Sequence, residues 1–499
     1  MEFEAIAEHL QNLLDENPRQ AIAEAEKLDE SINFRLLKAA IFVDAGAAVK
    51  EKNIVSRGVE IYQSTLKEHP KSSELQYNLA NGFHALASST PYDGFTWYQE
   101  THDNRKKAKS LFYASANARN ATSEIRSQAF TNLGNLLRSS YRWVEAYDYY
   151  ILALNEDRHN AVASSGALKI LRYAITQNIG DVDLLNQEIE HLAAHIISNK
   201  DSIQEYAGKV AVEGILAEID SISAKTKVVD YKDENEFIEF VIANNLTLSP
   251  TIHSHKHMSK RWDVLGIASV TSDIDLGNSI PEIFAMFNVI KSDFILARHL
   301  LFNAVSNHFE DTGTYSDTLD YACYGVNESA LALAQRAALD ILDKIAVAAL
   351  SYLNIAGARY TSFKQAWFKE KSEDFAKKIE AEISVGNTAL LALTEIARDL
   401  IEHEGYLHQK QNARNSSTHR FTVLHDFGSL PESESRCLEH YEYDDFSKDS
   451  LLTLKLARCA IIYFVQMIQL REERLEYGRE GLVMPMTVPS HEYIRGHDE

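Results

Sequence analysis

The sequence is poor in residues that break helices or cross-link chains. Its 499 residues include eight prolines, twenty glycines and three cysteines. So few prolines and glycines favour long helices over a turn-rich β architecture. The cysteines, Cys323, Cys437 and Cys459, are scattered and odd in number. That pattern argues against a disulfide framework and favours a reducing compartment.

Long apolar runs are also missing. No uninterrupted run approaches the ~18 residues that are typical of a membrane span. The best candidates, Ile345–Leu350 and Ala460–Val465, are predicted to be buried helix. The acidic start, residues 1–4, lacks the basic end and the apolar core of a signal peptide. We therefore predict a cytoplasmic protein that makes no membrane contact.

Positive charge is scarce, since 72 acidic and 50 basic residues give a net charge of −22. Repulsion at this charge opposes non-specific binding to nucleic acid, so any RNA contact must come from a local basic site. Hydrophobic residues make up 45% of the chain, enough for sizeable cores. The length predicts two or three domains.

A degraded helical repeat runs through the first half of the sequence. Its clearest unit has small and apolar residues on two successive helices: Phe130, Leu133, Gly134 and Leu137, then Ala146, Tyr150 and Ala153. Gly134 and Ala146 are twelve residues apart, a distance at which small residues let two antiparallel helices touch. The unit resembles the tetratricopeptide repeat, which is about 34 residues long.

Two weaker units precede this one. Residues 77–81 echo residues 131–135 and are followed by Ala108 and Phe112, while Gly58, Tyr62 and Pro70 fit an earlier unit. The resemblance covers residues 39–160 well and 161–245 poorly, and it implies a repeat domain over 1–246. Such repeats bind peptides, partner proteins or a dimer mate in a concave groove. An irregular helical bundle without a ligand is the alternative.

An insertion at Ser88–Asn104 departs from the repeat pattern. It is rich in aromatic side chains, namely Tyr92, Phe95, Trp97 and Tyr98. We predict that these side chains cap or fill the groove.

A polar stretch over 247–287 is predicted to connect two domains, because it is interrupted by turn residues: Pro250, Gly266, Gly277 and Pro281. His253, His255 and His257 alternate with other residues there, and on a strand they would share one face that could hold zinc. Nearby Lys256, Lys260 and Arg261 would repel a cation. A solvated linker is therefore favoured, and we predict no metal and no cofactor.

Four helices are predicted after residue 288. They run over Ile290–Asn307, over Glu328–Ala356 up to a Gly357 cap, from an N-cap at Asn387, and from just after Asp449. The last is apolar over so much of its circumference that it needs more than one neighbour. This favours an all-α protein with a four-helix bundle over 288–476 that pairs with a second copy, followed by a tail over 477–499.

The segment between the third and fourth helices contains Arg414, Asn415 and His419. A guanidinium can hold anionic oxygens, an imidazole can transfer protons near neutral pH, and a small amide can position a substrate. The spacing R-x4-H alone is weak, since it recurs at two other places: Arg398 with His403, and Arg420 with His425. The adjoining asparagine and the helical frame distinguish Arg414 and His419.

A helical bundle with R-N-x-x-x-H before its final helix resembles the HEPN superfamily, whose pattern is R-x4-6-H. The resemblance implies a metal-independent endoribonuclease of a stress, toxin or phage-defence system, in which two subunits bring Arg and His into one cleft. It implies that Arg414 and His419 are catalytic and that Asn415 supports them. Attack by the RNA 2′-OH would leave a 2′,3′-cyclic phosphate. Lys410 and Arg420 are predicted RNA contacts, and the repeat half is predicted to regulate cleavage.

Other interpretations stay open. The chain could be a non-catalytic scaffold that dimerises through its bundle, or it could bind or transfer nucleotides at the same cleft. Arg414 and His419 could be solvent-facing residues after a helix end. His425 is predicted to be a buried structural histidine, in preference to an imidazole held by Asp426. An acidic loop before the last helix is predicted to contain Asp444, Asp445 and Asp449.

Overall fold

A computed structural model describes most of the chain. The described residues are 2–219, 235–249, 263–272, 280–355, 361–369, 374–401, 405–407, 421–427, 430, 437–480, 483 and 486–487. The all-α prediction is confirmed, because the described residues form nineteen helices and one small sheet.

Fourteen helices lie in the first half of the chain. They are α1 (Glu2–Glu16), α2 (Pro18–Ala25), α3 (Ile32–Ala48), α4 (Lys52–Glu68), α5 (Ser73–Ser88), α6 (Phe95–Glu100), α7 (His102–Asn117), α8 (Ser123–Ser139), α9 (Trp143–Glu156), α10 (Ala161–Thr176), α11 (Val182–Ser198), α12 (Lys200–Ala207), α13 (Lys209–Ile219) and α14 (Glu236–Ala243). Several pack as consecutive pairs: α3 with α4, α5 with α7, α8 with α9, and α10 with α11.

Side-chain caps begin the first helix of successive pairs. Ser72 accepts from Leu75 N at 3.3 Å before α5, and Thr122 accepts from Ile125 N at 3.2 Å before α8. Asn160 does the same before α10. Each cap satisfies an amide that the helix itself leaves unpaired, so these polar residues set where the repeated helices start.

Glycines allow the paired helices to approach closely, as the sequence predicts for Gly134. A Cβ added at Gly134 in α8 would lie 2.8 Å from Cε1 of Tyr150 in α9, and one added at Gly166 in α10 would lie 2.4 Å from the same atom. The Tyr150 ring therefore packs between two helices that lack side chains at the contact. The predicted unit is present, and α10 extends it beyond residue 160.

Five helices and three strands follow. They are α15 (Glu282–Val305), β1 (Ala322–Cys323), α16 (Val326–Tyr352), α17 (Lys377–Ser384), α18 (Thr388–Ile401), β2 (Phe421–His425), β3 (Leu438–Glu442) and α19 (Tyr443–Tyr477). Helices α15, α16, α18 and α19 form the predicted bundle, in which α19 contacts the other three. Strand β2 is antiparallel to β1 and parallel to β3. The sequence did not predict this sheet.

Two helix boundaries differ from the prediction. Helix α16 ends at Tyr352, because Asn354 adopts a left-handed conformation with φ of 53° and stops the helix before Gly357. Helix α19 begins at Tyr443, so Asp444 and Asp445 lie in its first turn and the predicted acidic loop is wrong. Negative side chains are favoured there because the helix N-terminus carries partial positive charge.

Helix α19 is the core helix of the second half. Within the described part of the chain, it alone is long and apolar enough to cross a membrane, with a mean hydropathy of 1.7 over its most apolar stretch. However, 83% of that stretch is buried inside the protein. Its neighbours include α9 of the first half, where Trp143 Nε1 donates to Gln466 Oε1 at 2.8 Å. The wide apolar face is thus largely covered within one chain.

The predicted connection over 247–287 is corrected where the structure describes it. Leu246 and Leu248 are buried, and Arg458 Nε donates to Thr247 O at 2.8 Å. Asp263 forms an ion pair with Arg298 of α15 at 2.6 Å. Residues 282–287 already belong to α15. Residues 246–248, Asp263 and α15 are therefore packed against the protein, whereas residues 268, 269, 271 and 272 are exposed. His253, His255 and His257 lie outside the described residues.

Candidate functional site

The predicted catalytic and RNA-binding residues lie outside the described residues. They are Lys410, Arg414, Asn415, His419 and Arg420, all within 408–420. The structure describes what holds the two ends of this segment. We call residues 408–420 the motif segment.

Helix α18 leads into the motif segment and is deeply buried. Asn387 begins it, as predicted, and accepts from Leu390 N at 3.2 Å. The Asn387 amide also donates to Glu382 Oε1 at 3.1 Å and to Met467 O of α19 at 3.0 Å. All residues from 389 to 400 are buried. The helix therefore has a fixed position against the bundle.

Charged side chains of the first half hold the far end of α18. We call them, with their partners, the buried charge cluster: Arg105, Lys109, Arg142, Glu145, Glu395 and Asp399. Arg105 Nη1 donates to Glu395 Oε2 at 2.9 Å, and Lys109 Nζ donates to the Asp399 carboxylate at 2.7 Å. Arg142 also donates to Asp399. Helix α7 and Arg142, the residue before α9, thus contact α18 through its acidic side chains.

The cluster stays charged although it is buried. Burial disfavours ionisation of Glu395, but the positive charges of Arg105 and Lys109 outweigh burial and hold the pKa of this carboxyl well below its usual range. Likewise, burial works against the charge of Arg142, yet neighbouring Glu145 raises the pKa of that guanidinium well above its usual value. Glu395 and Arg142 are therefore ionised at neutral pH.

The cluster reaches to the start of the motif segment. Arg142 Nη2 donates to the Tyr406 hydroxyl at 2.8 Å, and the Tyr406 ring lies 5.3 Å from that of Tyr113 in α7. Tyr406 and Leu407 are both buried. Consequently, Tyr406, which lies two residues before the motif segment, is bound by the first half of the chain.

Strand β2 holds the other end of the motif segment. Phe421 is exposed, whereas Val423, Leu424 and His425 are buried. His425 is buried, as predicted, but its hydrogen-bond partners are Asp320 O at 3.0 Å and His440 Nδ1 at 2.8 Å. Asp426 instead lies near the Cys323 thiol. Partial burial, and to a lesser degree Asp426, raise the pKa of that thiol to about 11.

Arg398, the arginine of another R-x4-H match, is buried in the core. It is 7% exposed, its guanidinium lies 3.7 Å from Glu395 and its Cζ atom is 4.4 Å from the centre of the Phe375 ring. A guanidinium in this environment cannot hold an RNA phosphate in solvent. In the R-x4-H match of Arg398 with His403, the arginine therefore has a structural role.

A cleft opens beside the β2 end of the motif segment. Its volume is about 260 Å³, and its lining includes Cys323, Glu328, Arg336, Phe421 and Thr422. An exposed aromatic ring and a cationic side chain in one cleft could accept a stacked base and a phosphate. The cleft thus adjoins Phe421 and Thr422, the two residues that follow the motif segment.

Comparison with known families agrees with this frame. Residues 274–471 match the family model described as LA2681-like HEPN, a span that runs from just before α15 into α19 and includes the motif segment. The chain has a C-terminal HEPN domain. No curated protein matches the chain.

The HEPN domain indicates RNase-type or other RNA-related activity. In the sequence, the four helices of the bundle flank the motif segment, strand β1 precedes it, and strands β2 and β3 follow it. The aromatic insertion of the first half also contacts the HEPN domain, since the Phe95 ring lies 5.5 Å from that of Phe375. The first half therefore contacts the HEPN domain at Phe375, before α18 in the sequence, and at Tyr406, after it.

Sequence reasoning missed the buried charge cluster. A signal was present, because Arg105 and Lys109 are four residues apart on α7, and Glu395 and Asp399 are four residues apart on the apolar helix α18. Carboxylates at that spacing share a helix face, and a buried carboxylate needs a cationic partner. Which cations supply the charge could not be read from spacing alone.

Proposed function

We propose that this protein is a metal-independent endoribonuclease. The observation that carries the proposal is the match of residues 274–471 to the LA2681-like HEPN family, which spans the motif segment with its R-N-x-x-x-H pattern. The fixed ends of that segment support the proposal, since catalytic groups must be held in place to act. The repeat half then serves as a regulator.

In this mechanism RNA supplies its own nucleophile. His419 takes the proton of the 2′-OH and gives it to the leaving 5′-oxygen. Arg414 holds the phosphate oxygens and stabilises the anionic transition state, and Asn415 positions them. Lys410 and Arg420 bind flanking phosphates. The products are a 2′,3′-cyclic phosphate and a 5′-hydroxyl.

Two copies complete the cleft in this proposal. On one straight helix, side chains five residues apart point about 140° apart, so Arg414 and His419 of one chain would diverge if the motif segment were helical. A second copy supplies the missing partner. A ribonuclease that acts on cytoplasmic RNA must also be restrained, which fits a role in stress, toxin or phage-defence systems.

The buried charge cluster supports regulation by the first half. Its three cations bind Glu395 and Asp399 on the helix that enters the motif segment. A ligand that shifts α7 or α9 would therefore act on α18 directly. The first half can in this way transmit binding of a signal to the position of Arg414.

The test is incubation of the purified full chain with total RNA, with and without EDTA, followed by mapping of cut ends. We expect cleavage in both conditions, ends with a 2′,3′-cyclic phosphate, and loss of rate by about 10²–10⁴-fold in His419→Ala and at least comparably in Arg414→Ala. Matched controls are His9→Ala and Arg57→Ala, exposed residues of α1 and α4, which should cleave normally.

Two outcomes would contradict the proposal. If cleavage persists undiminished in His419→Ala, the chemistry does not use this imidazole. If neither wild type nor variants cleave RNA while dimer formation is intact, the chain is a helical scaffold. Transfer of a nucleotide onto another molecule, seen with radiolabelled nucleoside triphosphate, would indicate the third possibility.

A further inference from the structure

The sheet beside the motif segment brings together two imidazoles and one carboxylate. Ligand atoms of Asp320, His425 and His440 lie within 4.8 Å of one another. They come from the loop before β1, from the end of β2 and from the middle of β3. We propose that these three side chains bind a divalent transition-metal ion of the zinc class.

Strand register puts the two histidines on one face. His440 pairs with Val423 across the parallel β2–β3 ladder, and Val423 is two residues before His425. Because side chains alternate along a strand, residues two apart share a face, and so do paired neighbours. His425 Nε2 and His440 Nδ1 consequently approach to 2.8 Å.

The hydrogen bond to Asp320 O prepares His425 as a ligand. A carbonyl oxygen can only accept, so His425 Nδ1 carries the proton in that 3.0 Å contact. In the neutral ring, the lone pair of Nε2 then faces His440 Nδ1 and accepts the 2.8 Å hydrogen bond from it, so this lone pair is aimed into the site that the ion would occupy. Metal-bound histidines typically donate their other ring N–H to a backbone carbonyl or carboxylate, which is the arrangement here.

Asp320 is positioned by its own loop. Leu319 and Tyr321 on either side have φ of 59° and 60°, a left-handed conformation that is costly for residues with large side chains. The Asp320 carboxylate accepts from Thr318 Oγ1 and from Ala322 N. These hydrogen bonds hold the carboxylate within 4.8 Å of the ligand nitrogens of His425 and His440.

The donor set fits zinc. Two His nitrogens and one carboxylate oxygen make a common three-ligand zinc shell that leaves a fourth position for water. Nitrogens bound tetrahedrally to one zinc ion lie about 3.4 Å apart, so the two rings need to separate by about half an ångström. None of the ion pairs formed by the described residues involves Asp320.

Binding would tie three chain segments together. Strand β2 starts directly after the motif segment, and the ion would join its end to β3 and to the loop before β1. The site is separate from the proposed RNA chemistry, which uses no metal. Its presence and the nuclease proposal can therefore fail independently.

The experiment measures zinc retention by the full chain. Protein is stripped with chelator, dialysed with zinc chloride, passed over a desalting column and analysed by mass spectrometry for metal per chain. We expect wild type and the control His9→Ala to retain zinc, and His440→Ala and Asp320→Asn to bind it more than about tenfold more weakly, since even second-layer changes cost 10- to 100-fold. His440 and Asp320 are only partly buried, so these variants should fold.

Cobalt gives a second readout. A tetrahedral Co²⁺ complex with wild type should show visible d–d absorption that His440→Ala lacks, and zinc should raise the unfolding temperature of wild type only. Absence of bound zinc in wild type would overturn the proposal. Zinc retention by His440→Ala equal to that of wild type would also overturn it. So would a result in which His255→Ala loses zinc and His440→Ala keeps it.

Discussion

Glu395 is fully buried in an apolar helix and yet ionised. Its charge is balanced by Arg105 at 2.9 Å and Lys109 at 3.6 Å, both from the first half of the chain. A buried pair is worth little against a well-packed apolar substitute, but loss of one partner leaves an uncompensated charge. The residue therefore sets how tightly the two halves hold each other.

We predict that Glu395→Gln lowers the free energy of unfolding by about 3–5 kcal/mol, because Arg105 and Lys109 lose a buried counter-charge. Urea unfolding followed by circular dichroism measures the change. The matched control is Glu26→Gln, which removes an exposed partner of Arg57 and should change stability by no more than about 0.5 kcal/mol. Equal stability of both variants would show that the cluster is not a major contact.

The same carboxylate predicts a pH dependence. In the unfolded chain its pKa is near 4.5, and in the folded protein it is held well below that value. Ionised Glu395 therefore stabilises the fold fully above about pH 4.5, and this contribution is lost as the pH falls from there towards the folded pKa. The difference in unfolding temperature between wild type and Glu395→Gln should be constant from pH 5 to 8 and shrink below 4.5. A difference that instead shrinks between pH 6 and 8 would point to another titrating group.

At the level of elements, close helix contacts in the repeat depend on missing side chains. We predict that Gly166→Ala destabilises the protein by about 1–3 kcal/mol, because its Cβ would overlap the Tyr150 ring at 2.4 Å. Gly214→Ala in α13 is the control, since no atom lies within 4 Å of its added Cβ. The control should be neutral or stabilising by up to about 1 kcal/mol. Unfolding temperature measures both, and a stabilised Gly166→Ala would contradict the packing.

Element types were largely predictable because helical periodicity extends over many residues. Asn387 as a cap and the apolar stripe of α18 could be identified from the sequence. The strands could not, since β1 has two residues and β2 and β3 have five each, too few to show a period. The beginning of α19 was missed because its first turn, with Asp444 and Asp445, is as polar as a loop.

The candidate site was predictable only in part. The spacing of Arg414, Asn415 and His419 is local and visible in the sequence. In contrast, Asp320, His425 and His440 are brought together by strand pairing between distant segments, and no local pattern records such pairing. The sequence instead indicated a possible site at His253, His255 and His257, because these histidines lie within five residues of one another.

At the scale of the whole molecule, we predict a homodimer in solution with a shared cleft. Light scattering after size exclusion should give twice the chain mass. Co-expression of differently tagged Arg414→Ala and His419→Ala chains should yield mixed dimers that cleave RNA, although each variant alone is inactive, because one cleft then still contains one intact Arg and one intact His. Mixed dimers without activity would mean that each chain needs both of its own groups.

The charge cluster joins residues that are 290 positions apart in the chain. During translation the repeats emerge from the ribosome and can fold well before α18 exists. Glu395 and Asp399 are then synthesised after their three cationic partners, Arg105, Lys109 and Arg142, have been placed in the folded first half. The half that we propose to cut RNA is therefore synthesised only after the half that we propose to restrain it, an order that would protect the ribosome and the messenger RNA on which the protein is made.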